Sequence, residues 1–465
     1  MSGFADVLVG LQYGDEGKAR ITDNIAYEYD IIVRFNGGPN AGHTVEVDGK
    51  RISLHQIPSG IFHLNLLLYI GSGCVINPVK LVQEIKDVEQ LGISLQERLH
   101  ISGQATTILP HHIALDELIG KELGTTGNGI GPAYADQALR SNGVKIKNLR
   151  MSDFLEDTSA AIKVLIDNYE DVIPQRGGSR KTIEQQAGEW IAAMETLRQY
   201  ICTDSLWLDE LVRGGKNVLF EGAQASMLDV IKGTVPYVTS SHTIAGSAYV
   251  GGDLSPNYHR KTIGVAKAIM SRVGNGPFVS EFGGAVSERY CAEDGGKKNS
   301  RAVEMQQYLV DELLDSGDFF KIGIALRMLG NEYGATTKRP RRIGMHDLVL
   351  LAQNCRINGV TELYINKMDC LFDFCRTSLS GIPVVTAYEL DGRQISHIPN
   401  STLAHRRTKP VIEYLPTIKQ HLCTIKTYEE LPSEAKVLLK KIEQNVGCTV
   451  NGIGVGPNRE QFIQR

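Results

Sequence analysis

Nine residues near the start of the chain, Gly10-Leu11-Gln12-Tyr13-Gly14-Asp15-Glu16-Gly17-Lys18, constrain the fold more than any others. The apolar run Val7-Leu8-Val9 precedes them and reads as a buried strand, and Ile21 to Ala26 follows and opens a helix. A glycine-rich turn between strand and helix aims backbone N–H groups and a helix N-terminus at one point, which suits a phosphate. Lys18 adds a point charge there. Strand–loop–helix units of this kind belong to α/β folds with a mainly parallel sheet, where ligands sit at the carboxyl ends of the strands. The loop is nevertheless not the common P-loop. Gln12 stands where that motif has its first glycine, and Ala19 stands where it has the Ser/Thr that ligates magnesium. Asp15 is the obvious replacement ligand, because an acid in a phosphate loop repels the phosphate unless it binds a metal or carries protons.

A second loop, Val33-Arg34-Phe35-Asn36-Gly37-Gly38-Pro39-Asn40-Ala41-Gly42-His43-Thr44, follows another short apolar strand, Ile31–Val33. Its glycines and Asn40 let the backbone approach a ligand closely. His43 has an ordinary pKa suited to acid–base work near neutrality. Further β-branched runs at Asn217–Phe220, Thr262–Ala266 and Leu363–Ile365 read as strands, and Met151–Leu211 has apolar residues at helical spacing.

These motifs recur in a set that resembles the adenylosuccinate synthetase family. "YGDEGKAR" and "VRFNGGPNAGHTV" are similar to its paired N-terminal signatures. "HQIPSGI" from His55, "GTTGNGIGPAYAD" from Gly124 and "LFEGAQASMLDVIKGTVPYVTSS" from Leu219 follow in the family's order. So do "SRVGNGPFVSE" from Ser271, "GNEYGATTKRPRR" from Gly330, "NKMD" from Asn366 and "GIGVGPNR" from Gly452. The resemblance implies one large α/β domain over residues 1–465, built on a mainly parallel central sheet with P-loop-like GTP-binding features. Residues 151–211 are then a helical insertion. Residues 285–325, with the helix-like "RAVEMQQYLVDELLDSG", are an extra segment relative to the family.

The reaction implied is GTP-dependent ligation of L-aspartate to IMP through a 6-phosphoryl intermediate, with magnesium. By resemblance Asp15 is the catalytic base and a metal ligand, with the Gly42 carbonyl as second ligand. His43 is the acid facing O6, Lys18 holds phosphate charge together with the loop amides, and Gln224 contacts the purine edge. Asn40, Thr126, Arg140 and Thr239 hold IMP, Arg140 acting across a homodimer. Thr336, Thr337, Arg339 and Arg341 hold aspartate, with Lys338 where the family has glycine. Gly14, Gly17, Lys18, Gly42, Lys367, Asp369, Gly454 and Gly456 bind GTP; Asp369 accepts from guanine N1 and N2, a pattern adenine does not offer.

Composition fits a cytoplasmic enzyme. With a net charge of −4, the chain offers no generic nucleic-acid or membrane surface. The eight cysteines include no CxxC pair, the pattern of reduced cytosolic thiols. "MSGFADVLVG" lacks the features of a secretion signal. Two other functions compete. Phage synthetases of this family act on dGMP and tend to use ATP, but commonly lose the carboxylate at Asp15. A non-enzymatic GTP switch would explain the phosphate loop and NKMD, but not His43, Gln224 or the "TTKRPRR" loop.

Overall fold

The computed structural model describes residues 2–47, 50–123, 127–140, 148–172, 180–334 and 339–465. Thr126, Thr336, Thr337 and Lys338 lie outside the described residues. The fold is α/β, with a large, mostly parallel sheet, and the chain divides into two compact units.

The first unit comprises residues 1–8, 18–224 and 239–260. Its strands in the large sheet are β1 (Ala5–Gly10, through Leu8), β2 (Ile31–Arg34), β3 (Leu67–Ile70), β4 (Leu99–Ser102), β5 (Ile201–Cys202) and β6 (Val218–Glu221). They lie in the order β1-β6-β2-β3-β4-β5, and every pairing is parallel. Strands such as Ile31-Ile32-Val33 are continuously apolar because helices cover both faces of a parallel sheet. Asp6, fully buried in β1, is an exception. It accepts from Tyr29 Oη at 2.7 Å and Arg260 Nε at 3.0 Å, as a buried carboxylate must.

The second unit comprises residues 9–17, 225–238 and 261–465. Within it, β7 (His259–Lys267, from Lys261) and β8 (Glu362–Asn366) pair in parallel, as do β8 and β9 (Thr449–Gly454). β10 (Phe462–Gln464) adds antiparallel to β9.

The strand expectations hold to within a few residues. The first helix begins at Lys18 rather than Ile21. Gly17, at φ +86°, ends the loop, so Lys18 becomes the first helical residue. The stretch 151–211 carries helices Asp153–Glu156, Thr158–Val172, Arg180–Leu197 and Trp207–Arg213. Trp190 fixes them by donating its indole N–H to Ile108 O at 3.0 Å while its ring meets Phe154. The stretch 285–325 is also helical, with Gly284–Ala292, Arg301–Gln307, Val310–Asp315 and Phe319–Leu329. Its small core of Leu313, Leu314, Ile324, Ala325 and Met328 is covered by Tyr290, Tyr308 and Phe320.

Candidate active site

In the first unit the parallel register sets Glu221, the last residue of β6, opposite Arg34, the last of β2. Both are buried, at 0% and 1% exposure. His43 Nδ1 lies 3.0 Å from Glu221 Oε1, 2.9 Å from Arg34 Nη1 and 3.2 Å from Ser59 Oγ. Ser59 donates its backbone N–H to Glu221 Oε2 at 2.9 Å and its hydroxyl to Oε1. Burial alone would raise the Glu221 carboxyl, but His43, Arg34 and Ser59 outweigh it and hold it at about 2. Burial lowers His43; Arg34 adds to this and Glu221 opposes it.

An ever-charged guanidinium donates to Nδ1, so the neutral ring carries its proton on Nε2, for which the described residues supply no partner. When the ring gains a second proton, Glu221 is placed to receive Nδ1–H. The pair therefore leaves Nε2–H for a ligand oxygen, the role of an acid.

The same unit arranges the other expected IMP contacts that are described. Asn40 accepts from Gly38 N at 3.3 Å and donates to Thr239 Oγ1 at 3.4 Å. Gln224 sits at φ +56° with a buried, unpartnered Oε1 close to Gly37. A strained backbone carrying an unsatisfied buried amide is a pairing that recurs at ligand sites. Lys18 is buried at the start of its helix. Gly42 is exposed, with open space at its Cα. Arg140 caps the helix Ile130–Leu139 at φ +61° and is exposed.

In the second unit the glycine-rich loop is pinned at four of its carbonyls. Gly10 O accepts from Ser226 Oγ at 2.9 Å, Leu11 O from Asn354 Nδ2 at 2.8 Å, Gln12 O from Met227 N at 3.1 Å and Glu16 O from Asn366 Nδ2 at 2.7 Å. Gln12, the departure from the P-loop, clamps the Lys267 backbone through Nε2–O at 3.0 Å and N–Oε1 at 2.9 Å. One expectation needs correction. The loop amides do not all face outward for phosphate, because the buried Glu16 carboxylate accepts from Gly14 N at 2.8 Å and Gln12 N at 3.2 Å. An internal anion thus fills part of the nest that the sequence offers to a ligand.

Asp15, at φ +59°, pairs with Arg341 Nη2 at 2.8 Å. Arg341 Nη1 binds Glu332 Oε2 at 2.7 Å. The same Oε2 takes Ser271 Oγ at 2.9 Å and lies 3.4 Å from Lys267 Nζ, while Oε1 lies 3.4 Å from Lys367 Nζ. Burial would raise Glu332, but Lys267, Lys367 and Arg341 hold it far below the usual carboxylate range. Lys367, at φ +64°, also donates to Gly330 O at 2.7 Å. Glu332 thus ties the partner of Asp15 to the lysine of NKMD.

Asn366 explains two of the expected glycines. A Cβ on Gly17 would lie 2.8 Å from its Nδ2, and one on Gly454 2.4 Å from its Oδ1. A Cβ on Gly456 would lie 2.4 Å from Gln461 Oε1. Gly14 is needed for its φ of +94°. Asp369 is half-buried at the start of the turn Met368–Arg376.

Sequence reading missed Arg34, Ser59, Glu221, Glu16 and Glu332 as site residues, although Glu221 stood inside "LFEGAQ". A charged residue ending an apolar parallel strand is the signal that would have found Arg34 and Glu221.

One cluster of metal-type ligands occurs among the described residues, at His111, His112 and Asp136. It satisfies itself. Leu109 N–H donates to His112 Nδ1 at 2.9 Å, so the His112 proton sits on Nε2 and points to Asp136 Oδ2 at 3.1 Å. Burial, with His111 adding to it and Asp136 opposing, pushes His112 down to about 4. A neutral ring in that tautomer has no lone pair facing the carboxylate for a metal. No helix among the described residues is long and apolar enough to cross a membrane.

The family model described as adenylosuccinate synthetase matches residues 7–463. The chain belongs to the adenylosuccinate synthetase family. Adenylosuccinate synthetase 2 of Cupriavidus pinatubonensis is 43% identical over 461 residues, 99% of this chain and 97% of that protein. The adenylosuccinate synthetase of Clostridium novyi is 38% identical over 469 residues, 100% and 99% of the two. Among solved structures, fully ligated adenylosuccinate synthetase from Plasmodium falciparum superposes with a TM-score of 0.83 at 30% identity, covering 100% of both chains. Cyanophage S-2L succinoaminodeoxyadenylate synthetase, bound to dGMP and dATP, shares the fold at TM-score 0.60 and 18% identity, covering 100% of this chain and 96% of its own.

Proposed function

We infer that the chain is a GTP-dependent carbon–nitrogen ligase that joins L-aspartate to IMP, giving adenylosuccinate, GDP and phosphate. Membership of the adenylosuccinate synthetase family across residues 7–463 carries this reading. The dGMP alternative rests on a relative at 18% identity and has no support from Asp15, which this chain retains. A GTP switch needs no buried His43–Glu221–Arg34 group.

IMP O6 is a poor leaving group until phosphorylated, and O6 becomes nucleophilic only when N1 loses its proton. Asp15 takes that proton, a role its partly exposed carboxylate suits, while Arg341 holds its position. His43 donates from Nε2 to O6 and then to the transferred phosphoryl group. Lys18 holds phosphate charge. Gln224, Asn40, Thr126 and Thr239 orient IMP, and Thr336, Thr337, Arg339 and Arg341 receive the aspartate that displaces phosphate at C6. Lys367, Asp369, Gly454 and Gly456 form the guanine pocket, with Gly14, Gly17 and Gly42 beside the phosphates. The family's metal ion is magnesium in this reading, held by Asp15 and the Gly42 carbonyl. Both are hard oxygen donors, the first 41% exposed and the second in open space. Bound magnesium spreads the charge of the moving phosphoryl group.

The test is a panel of IMP, GMP and dGMP against GTP and ATP, with aspartate and product mass as the readout. Adenylosuccinate from IMP and GTP is expected; product from dGMP alone overturns the reading. Asp369→Asn added to the panel should weaken GTP and improve xanthosine triphosphate, because xanthine offers an acceptor where guanine has its amino group. Unchanged base preference would remove Asp369 from the pocket.

The chain also works as a homodimer in this reading, with Arg140 reaching the partner's IMP. Arg140→Leu homodimers should bind IMP poorly. Mixing them with Asp15→Asn subunits should restore activity, since each mixed dimer has one sound site, and about half the dimers are mixed at equal amounts. No recovery after verified subunit exchange would remove Arg140 from the shared role.

A further inference from the structure

The helical stretch 285–325 contains a buried glutamate with no role in the reaction above. Glu304, fully buried in the helix Arg301–Gln307, takes Arg327 Nη2 at 2.6 Å on Oε1, with Arg327 Nε at 3.2 Å from Oε1 and 3.1 Å from Oε2. The Tyr333 hydroxyl donates to Oε2. Arg327, itself 1% exposed, uses its remaining nitrogen to donate to the Arg341 carbonyl at 3.0 Å. Tyr333 and Arg341 belong to a short antiparallel stem. Tyr333 bridges Pro340, Gly334 N donates to Arg339 O at 2.8 Å, and Arg341 N donates to Glu332 O at 3.0 Å. That stem flanks residues 335–338 and presents Arg339 and Arg341.

The turn before this helix reaches the same stem. A Cβ on Gly296, at φ +81°, would lie 2.8 Å from Arg339 Cγ and 2.9 Å from Cδ. The Arg339 stem therefore lies directly over a residue that has to be glycine for two separate reasons. The stretch meets Arg339 directly at Gly296 and reaches the Arg341 backbone indirectly, through the Glu304–Arg327 pair.

We propose that Glu304 is a positioning residue for capture of the amino-acid substrate, holding through Tyr333 and Arg327 the stem that carries Arg339 and Arg341, with Gly296 seating Arg339. The segment 284–315 is then part of the carboxylate-binding apparatus rather than a surface addition. Two guanidinium groups grip a dicarboxylate well only when both forks are fixed in place, since bidentate pairing depends on geometry as much as charge. The inference rests on the functional reading above, because it takes L-aspartate as the ligand of that loop.

The test compares wild type with Tyr333→Phe, Gly296→Ala and Glu304→Gln in the full-length enzyme, measuring kcat and the KM of each of the three substrates beside a thermal melt. Tyr333→Phe and Gly296→Ala should raise the KM for L-aspartate about tenfold, leaving kcat and the KM for IMP and GTP within about twofold. Glu304→Gln should do the same or more where it folds. It leaves Arg327 buried without its carboxylate, so the two milder variants carry the test if it does not fold. A melt lowered without a selective change in aspartate KM makes Glu304 merely structural and overturns the proposal. So does an equal rise in all three KM values, or no change in any. A wild type that forms product from IMP and GTP with no use of aspartate overturns the functional reading, and this inference with it.

Discussion

Replacing Asp15 by asparagine is expected to lower kcat by about two to four orders of magnitude through loss of the general base alone, with loss of a metal ligand adding to that. Fold and IMP affinity should survive. Asn is the right probe because Asp15 sits at φ +59°, a left-handed conformation that asparagine tolerates and most side chains do not. The ion pair it breaks is inexpensive to lose. The Asp15 side chain is 41% exposed, and pairs of that kind contribute about 0–1 kcal/mol. Arg341 stays neutralised by Glu332 at 2.7 Å, so no uncompensated charge is left behind. The measurements are steady-state kcat, IMP binding by calorimetry, and a thermal melt. Turnover within about tenfold of wild type would remove Asp15 from the base role, since base catalysis accounts for at least about a hundredfold. A collapsed melt would instead show that Asp15 holds the loop together.

What sequence made legible here is unequal, and the inequality has physical causes. The loop Gly10–Lys18 and the strands around it announce themselves because glycine at positive φ and β-branched runs are local requirements, written at the residues that meet them. Gly17 and Gly454 were expected to face nucleotide. Their tight contacts are with Asn366, so the glycines were legible but the reason for them was not. Glu16 was invisible as a structural anion, because nothing in "YGDEGK" distinguishes a carboxylate aimed at a ligand from one that turns back on its own loop amides. Glu332 and Glu304 were invisible for another reason. Glu332 draws its partners from 9 to 65 positions away on both sides, and Glu304 draws its two from 23 and 29 positions away on separate elements, and spacing along the chain does not encode such meetings. Arg341 was read as a substrate ligand from its loop. The structure adds that the same guanidinium is shared by Asp15 and Glu332.

Glu221→Gln is expected to be the most destabilising conservative change in the first unit. The carboxyl is held at about 2 against about 4.3 in an unfolded chain, a difference worth about 3 kcal/mol of folding stability at neutral pH. The sign follows from the direction of the shift. A carboxyl whose folded value lies below its unfolded one adds stability above the unfolded value, and the addition is lost as pH falls through the folded value. Wild type should therefore exceed Glu221→Gln by its full margin at pH 7. The gap should narrow below about pH 4.3 and close near the folded value of about 2. Function should suffer separately. Glu221 is the group that raises His43 against burial and Arg34, so its loss lowers the ring's affinity for a second proton still further. Any limb of the pH–rate profile due to His43 should move to lower pH in the variant, with kcat reduced. Urea midpoints at several pH values, together with kcat against pH at a temperature where the variant is folded, measure both effects. Equal stability at pH 7, or a gap that widens on acidification, would mean that Arg34 and His43 do not depend on this carboxylate. An unmoved pH limb would separate His43 from Glu221 in the chemistry.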